Sequence, residues 1–482
     1  MDRRNLLRMS AVTGLDIAFS ALRVSAQASG PGPEMAELSA YMSAAGDREL
    51  APDVAEHAKY HVLDTLGAMV SGSQLPPGQA ALRYLGSHGA NGHATIAGAT
   101  LTAAPVDAAL ANGIMAHADE TDDSHNASRS HPGCAVFPAL LAAGEEFAIS
   151  GARFLRAMTL GYDVGTRVVL SMGGFEFSYG SSLSTHAIAG TFGATAAAGC
   201  AAGLEARQMR WALDYAAQQS SGIIAWRRDT DHIEKAFVFA GMPARNGVTA
   251  ALVVQSGWNG VEDIFSGADN FFQAYAPNAR PSRLIEKLGE RYEITLIDIK
   301  KWSVGSPIQG PLDAVEAIRS KHPFEADDVR RLTVRLAPTV AAVVDNREIP
   351  GICLQHMIAV MLLDKTISFH AAHDKGRMQD PAVLRQREKV NLVYDDELAK
   401  LLPVRIALVE IELKDGSSHS ERITAVRGTP RNPMSRAEVA DKARDLIAPV
   451  LGRHGSERLI ETVFGIEAVS NIRELHPLLQ PG

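Results

Sequence analysis

The sequence predicts a mainly α protein, with a large all-helical domain and a smaller α+β lid domain. Three observations predict it. Ala-rich runs of helical length, ended by Gly and Pro, fill most of residues 34–290. After about Arg291 the pattern changes to runs that alternate apolar and polar residues. Helical periodicity returns near residue 433. The expected division is an extension at 1–33, a helical domain at 34–290, a lid at 291–432, and C-terminal helices at 433–482 that rejoin the first domain.

In chain order, the N-terminus comes first. Arg3-Arg4, a leucine pair and an Ala26-Gln27-Ala28 triplet resemble a twin-arginine export signal, although Asp16 and Arg23 interrupt its apolar region. This predicts a periplasmic protein, or otherwise a cytoplasmic one with an N-terminal extension. Helices are expected at Pro105–His117, Ala135–Ala148, Phe154–Ser171, Thr191–Leu204, Arg207–Ser220 and Pro243–Gly257. Their small residues suit close helix packing. Gly190–Gly193 lacks the Lys-Ser/Thr ending of a phosphate loop and reads as a packing face. In the lid, Val329–Leu336 and Val404–Leu413 alternate as half-buried strands do. Asp415-Gly416 gives a hairpin turn, with Arg422–Val426 as the returning strand. Helices are expected at Asp313–Ser320 and around Leu354–Phe369. Ser435-Arg-Ala-Glu438 is a capping box that opens a last helix towards Val450.

Composition narrows the function. Of the 482 residues 46% are hydrophobic and 21% charged, with a net charge of -8 and no basic stripe, which argues against nucleic-acid binding. No run approaches about 20 uninterrupted apolar residues, so no membrane span is expected. Cys134, Cys200 and Cys353 are far apart and form no CxxC pair, so they read as buried, inert thiols.

The chemistry concentrates between Asn112 and His131, in the stretch NGIMAHADETDDSHNASRSH. Asp119, Glu120, Asp122, Asp123, His117, His125 and His131 crowd into it between apolar helices. Buried charges are costly unless paired, so such a cluster is either solvated or functional. If the helix through His117 ran one more turn, His117, Glu120 and Ser124 would share a face. A histidine beside carboxylates suits acid–base work near neutral pH. Two further clusters stand out. Ser184 and His186 precede an Ala/Gly-rich helix, and Lys235 enters an apolar stretch where it could bind a carboxylate. No H-E-x-x-H spacing or Gly-x-Ser-x-Gly elbow occurs, so neither a metal nor a serine nucleophile is expected.

Asn112-Gly, Ala116-His117, Glu120, Asp122-Asp123-Ser124, His131-Pro-Gly and Pro138-Ala resemble the MmgE/PrpD family, as do Lys235, Ala244-Arg245 and Gly247. That family includes 2-methylcitrate dehydratases, cis-aconitate decarboxylases and iminodisuccinate epimerases. The resemblance implies a homodimer and a cofactor-independent lyase, dehydratase-type, acting on a small di- or tricarboxylic acid. An epimerase, a decarboxylase or a non-catalytic carboxylate-binding protein are the alternatives. It also implies a pocket lined by Glu120, where Asp is usual, with Ser124, His131 and Lys235. A second histidine would fall near Ser184 by strict count, and His186 is its stand-in. Arg245 would help Lys235 and Ser184 hold substrate. The decarboxylase branch carries a further histidine at the start of its lid. Trp302–Gln309 has none, which argues against decarboxylation of cis-aconitate.

Overall fold

The Ala- and Gly-rich runs form helices that pack at short range. The computed structural model describes residues 30–89, 91–402 and 404–481; the Arg3-Arg4 pair and the Ala26–Ala28 triplet lie outside them. Helices Pro52–Gly72 (α1), Pro105–Ala116 (α2), Gly133–Glu146 (α3), Gly151–Met172 (α4), Thr185–Ala201 (α5), Ala206–Gln219 (α6) and Ile233–Gln255 (α7) carry the first part of the chain. Buried along nearly its whole length, α5 is a central post, with α3, α4, α6 and α7 around it. It starts at Thr185 rather than Thr191, because the Ser184 side chain caps it. A Cβ on Gly247 of α7 would lie 2.4 Å from the Ala194 Cβ of α5. Gly247→Ala is therefore expected to cost about 1–3 kcal/mol through overpacking. A lower urea midpoint at unchanged slope would show it; an unchanged midpoint would mean that the helices part freely. By length and composition α7 could cross a membrane, but 72% of its most apolar window is buried in this packing.

The next part of the chain holds Ser306–Lys321 (α8), Leu354–Asp364 (α9) and a sheet of Val329–Leu336 (β1), Val390–Tyr394 (β2), Ala407–Leu413 (β3) and Ser418–Ile423 (β4). The strand order is β2-β1-β3-β4, with β1 and β2 parallel and the other pairs antiparallel. The returning strand thus begins four residues before the expected Arg422, directly after the Asp415-Gly416 turn, where pairing to β3 starts at once. The capping box at Ser435 and Glu438 opens Arg436–Phe464 (α10), which runs past Val450 and is interrupted at Gly452 (φ 72°, ψ 163°). Helix therefore dominates, with a smaller α+β part.

Two main hydrophobic cores sit in one continuous body. The larger joins side chains from Met35 to Ile299 with others from Met434 to Leu479. The other runs from Trp302 to Leu413. Ile294, Ile297 and Ile299 still pack with the first core, beyond the expected change at residue 291.

Candidate active site

Helix α2 stops at Ala116, and His117 takes its C-cap position (φ -119°, ψ 32°). The extra turn expected to align His117, Glu120 and Ser124 does not form. Asp119 instead accepts from the Thr121 N–H and hydroxyl, both at 2.8 Å. Short polar side chains of this kind compete with helical hydrogen bonding. The irregular loop that follows is largely buried, so its polar groups need partners. Lys300 Nζ donates to the Glu120 carbonyl at 2.7 Å. Lys442 Nζ, from α10, donates to the Thr121 carbonyl at 2.9 Å and to Asp64 of α1 at 2.5 Å. Asp123 accepts from the Tyr162 hydroxyl at 2.5 Å and the Gly133 N–H at 3.1 Å, with His61 Nδ1 at 3.0 Å. His373, from the α+β part of the chain, lies 3.0 Å from Asp119.

Held this way, the loop presents Asp122 to two histidines. Its Oδ2 lies 2.9 Å from His117 Nδ1 and 3.1 Å from His131 Nδ1. His186, in the first turn of α5, brings its ring centroid to 5.2 Å from that of His131. Phe239 is a common floor: its ring is stacked at 3.7 Å on His186 and 4.4 Å on His117. Phe239 belongs to a π-helical turn, Phe237–Gly241, inside α7. The Asp229 carboxylate accepts from the Lys235 N–H at 2.9 Å and fixes the start of that helix. Lys235 Nζ pairs with Glu120 and sits 5.1 Å above Phe239 and 5.7 Å above Trp226. His232 Nε2 lies 3.1 Å from the same Glu120 oxygen.

Exposure sorts these groups. The side chains of His131, His232, Glu120 and Lys235 are 12%, 17%, 16% and 17% exposed, so a small molecule can reach them. His117 and Asp122, at 0% and 1%, can only orient their neighbours.

Burial would raise the Glu120 and Asp122 carboxyls. The surrounding groups overcome it, Lys235 foremost at Glu120 and His117, His131 and Lys300 at Asp122, and both stay well below the usual range. His186 is held well below the usual histidine range, first by burial and then by the neighbouring His131, His117 and Lys235. Burial also pushes His117 down to about 4, against the pull of Asp122. A histidine lowered in the fold binds its proton more readily when unfolded. Stability that His117 supplies is therefore present above about pH 6.5, the ordinary histidine value, and falls as pH drops from there. Its carboxylate neighbours, lowered in the fold, draw on stability only at pH values below the ordinary carboxylate range. Between pH 6.5 and 5 the urea midpoint of the wild type is thus expected to fall more steeply than that of His117→Gln. Equal slopes would mean that His117 does not stay neutral in the fold.

His117, Asp122 and Cys134 offer ligand atoms within 4.8 Å of one another. They fit a metal poorly: two imidazoles already share Asp122 Oδ2, and Lys300 Nζ stands 3.7 Å from Oδ1.

Two family models match the chain. The MmgE/PrpD N-terminal domain covers residues 36–284 and the MmgE/PrpD C-terminal domain covers residues 302–466. The chain belongs to the MmgE/PrpD family. A cis-aconitate decarboxylase-like protein of Aspergillus oryzae is 24% identical to it, over 93% of this chain and 97% of its own length. Cis-aconitate decarboxylases of Aspergillus terreus and Homo sapiens are 25% and 26% identical, each over 89% of this chain and over 92% and 90% of their own lengths.

In this MmgE/PrpD chain His131, His186, Lys235 and Glu120 come together from separate elements. Three expected members do not join them. Ser124 pairs its backbone with Asp298, at 3.0 and 2.9 Å, and lines a different cavity. The Ser184 hydroxyl caps α5 by accepting from the Ala187 N–H at 3.4 Å. The Arg245 guanidinium donates to Asn246 Oδ1 at 3.1 Å; ten residues along α7, it stands about 15 Å up the helix from Lys235. The structure adds His232, Lys300, Trp226 and Phe239, and joins to them His117 and Asp122 of the crowded stretch. His232 was visible in the same polar run as Lys235, but Lys300 had no signal beyond lying where the pattern changes.

Proposed function

We propose that the chain is a cofactor-independent lyase that acts on a small di- or tricarboxylic acid, removing a proton α to a carboxylate and expelling water. The observation that carries this reading is the pairing of two histidine rings, His131 and His186, 5.2 Å apart beside a reachable lysine. Asp122 at His131 Nδ1 fixes the tautomer that leaves Nε2 to accept a proton, and it stabilises the imidazolium that results. The Lys235 ammonium would then take a substrate carboxylate in competition with Glu120 and offset the enediolate-like charge left on the substrate. In the elimination, the C–H electron pair forms the new C=C bond, and the β-hydroxyl leaves as water with the proton that His131 removed, returned from its imidazolium. His186, held neutral by its surroundings, is suited to hydrogen-bonding the departing group.

Decarboxylation is the second reading, and the names of the relatives favour it. There the C–C bond breaks as CO2 leaves, its electron pair stays on the substrate carbon, and a histidine gives that carbon a proton. Purified protein incubated with cis-aconitate, citrate-like and aspartate-derived acids, followed by NMR in deuterated water, separates the readings. Water gained or lost supports the first, CO2 the second, and label at one carbon without change in unsaturation an epimerase. Ligand binding with no product from any acid that binds would overturn an enzymatic reading. Unchanged turnover after dialysis against a chelator is expected; its loss would end the cofactor-independent part. The proposal includes a homodimer, which light scattering tests.

A further inference from the structure

A cavity of about 490 Å³ opens between the two cores, within the size range of small-ligand pockets, about 300–1,000 Å³. His131, His186, Lys235 and Glu120 do not line it; Lys300, whose Nζ reaches Glu120, stands between it and the histidines. Six cationic side chains face it against two carboxylates, Glu293 and Asp298. Four of the six are engaged within the chain: Arg283 with Glu286, Arg291 with Glu293, Arg427 with Glu438, and Lys300 with Glu120. Arg405 and Arg431 make no hydrogen bond or ion pair among the described residues. Glu293 is already met by Arg291 and Arg167, and Asp298 by Asn126. Burial lowers the Arg405 guanidinium and the neighbouring Asp298 carboxylate offsets that only in part, so a further anion beside it would relieve the remaining cost. The N-terminal end of α8, at Ser306, adds its positive dipole to the same space. Leu170, Leu296, Val404 and Val426 supply apolar wall, which suits an anion with a hydrocarbon body.

We infer that this cavity binds a short-chain di- or tricarboxylate, gripped by Arg405 and Arg431. The site stands whether or not the histidine cluster catalyses the proposed reaction. Calorimetric titration with tricarballylate, an unreactive tricarboxylate, tests it on the full chain. Two binding events are expected for wild type. Arg405→Gln with Arg431→Gln is expected to weaken one of them about 10–100-fold, as loss of charged hydrogen bonds does. Lys235→Gln weakens the other and leaves the cavity event in place. Wild-type titration by the double Gln variant, or loss of all binding in Lys235→Gln, overturns the inference. A single event that needs the two arginines but not Lys235 supports the cavity and counts against the proposed role of the histidine cluster. The charge-keeping pair Arg405→Lys with Arg431→Lys retains more affinity than the Gln pair; no better binding than the Gln pair sinks the assignment. Inorganic phosphate, which has no hydrocarbon body, binds more weakly than tricarballylate, and equal binding would refute a carboxylic-acid site.

Discussion

His131→Ala is expected to lower kcat by about 10²–10⁴-fold, the usual contribution of a positioned general acid or base. The substrate would be whichever acid the wild type turns over best. The effect should fall on kcat more than KM, because Lys235 and not His131 is the group placed to hold the substrate carboxylate. The ring is 12% exposed and its one side-chain hydrogen bond is to Asp122, so its removal leaves the fold largely intact. Asp122→Asn removes the anion that orients the same ring and stabilises the imidazolium formed during the reaction, and should bring much of the same loss while leaving KM near wild type. Full turnover by His131→Ala would remove it from the mechanism and leave His186 as the single candidate base.

Lys442→Met is expected to produce the largest loss of stability, about 3–5 kcal/mol, because it strips the partner from a buried carboxylate. Lys442 is 4% exposed and Asp64 0% exposed at the side chain, and the ammonium also holds the Thr121 carbonyl. Burial raises the Asp64 carboxyl, and Lys442 is the chief influence pulling it back down. Without that cation the carboxyl either stays charged and unpaired or takes up a proton. The urea midpoint should fall, and Asp64→Asn added to Lys442→Met should recover part of the loss, since the stranded charge is gone. If the double variant is no more stable than the single one, the cost lies in the Thr121 tether instead.

These effects separate what the amino-acid sequence reveals from what only the fold reveals. The helices around α5 were legible because small residues recur at helical spacing over long runs, and Ser435 with Glu438 announced α10 by local chemistry alone. The loop after His117 was legible as a place but not as a shape. Its partners Lys300, His373 and Lys442 lie about 180 to 320 residues further on, and no local pattern links them to it. Strand β2 escaped notice because it is a short parallel strand, one residue of it buried, between polar neighbours. The shared face of His117, Glu120 and Ser124 holds only while a helix lasts, and α2 ends at Ala116; Arg245 rests on the family resemblance, which carries no distance along α7 from Lys235.

The π-helical turn at Phe237–Gly241 has a consequence for how this chain can vary. It inserts one residue between two halves of α7 that serve different masters. Upstream, Lys235 faces Glu120; downstream, Gly247 faces the backbone of α5. Deleting a single residue there would make the helix regular and turn one half against the other by about 100°. Either the lysine would leave the cluster or the glycine would leave its contact. The turn is a phase joint, and the length of this segment is therefore constrained more tightly than its composition.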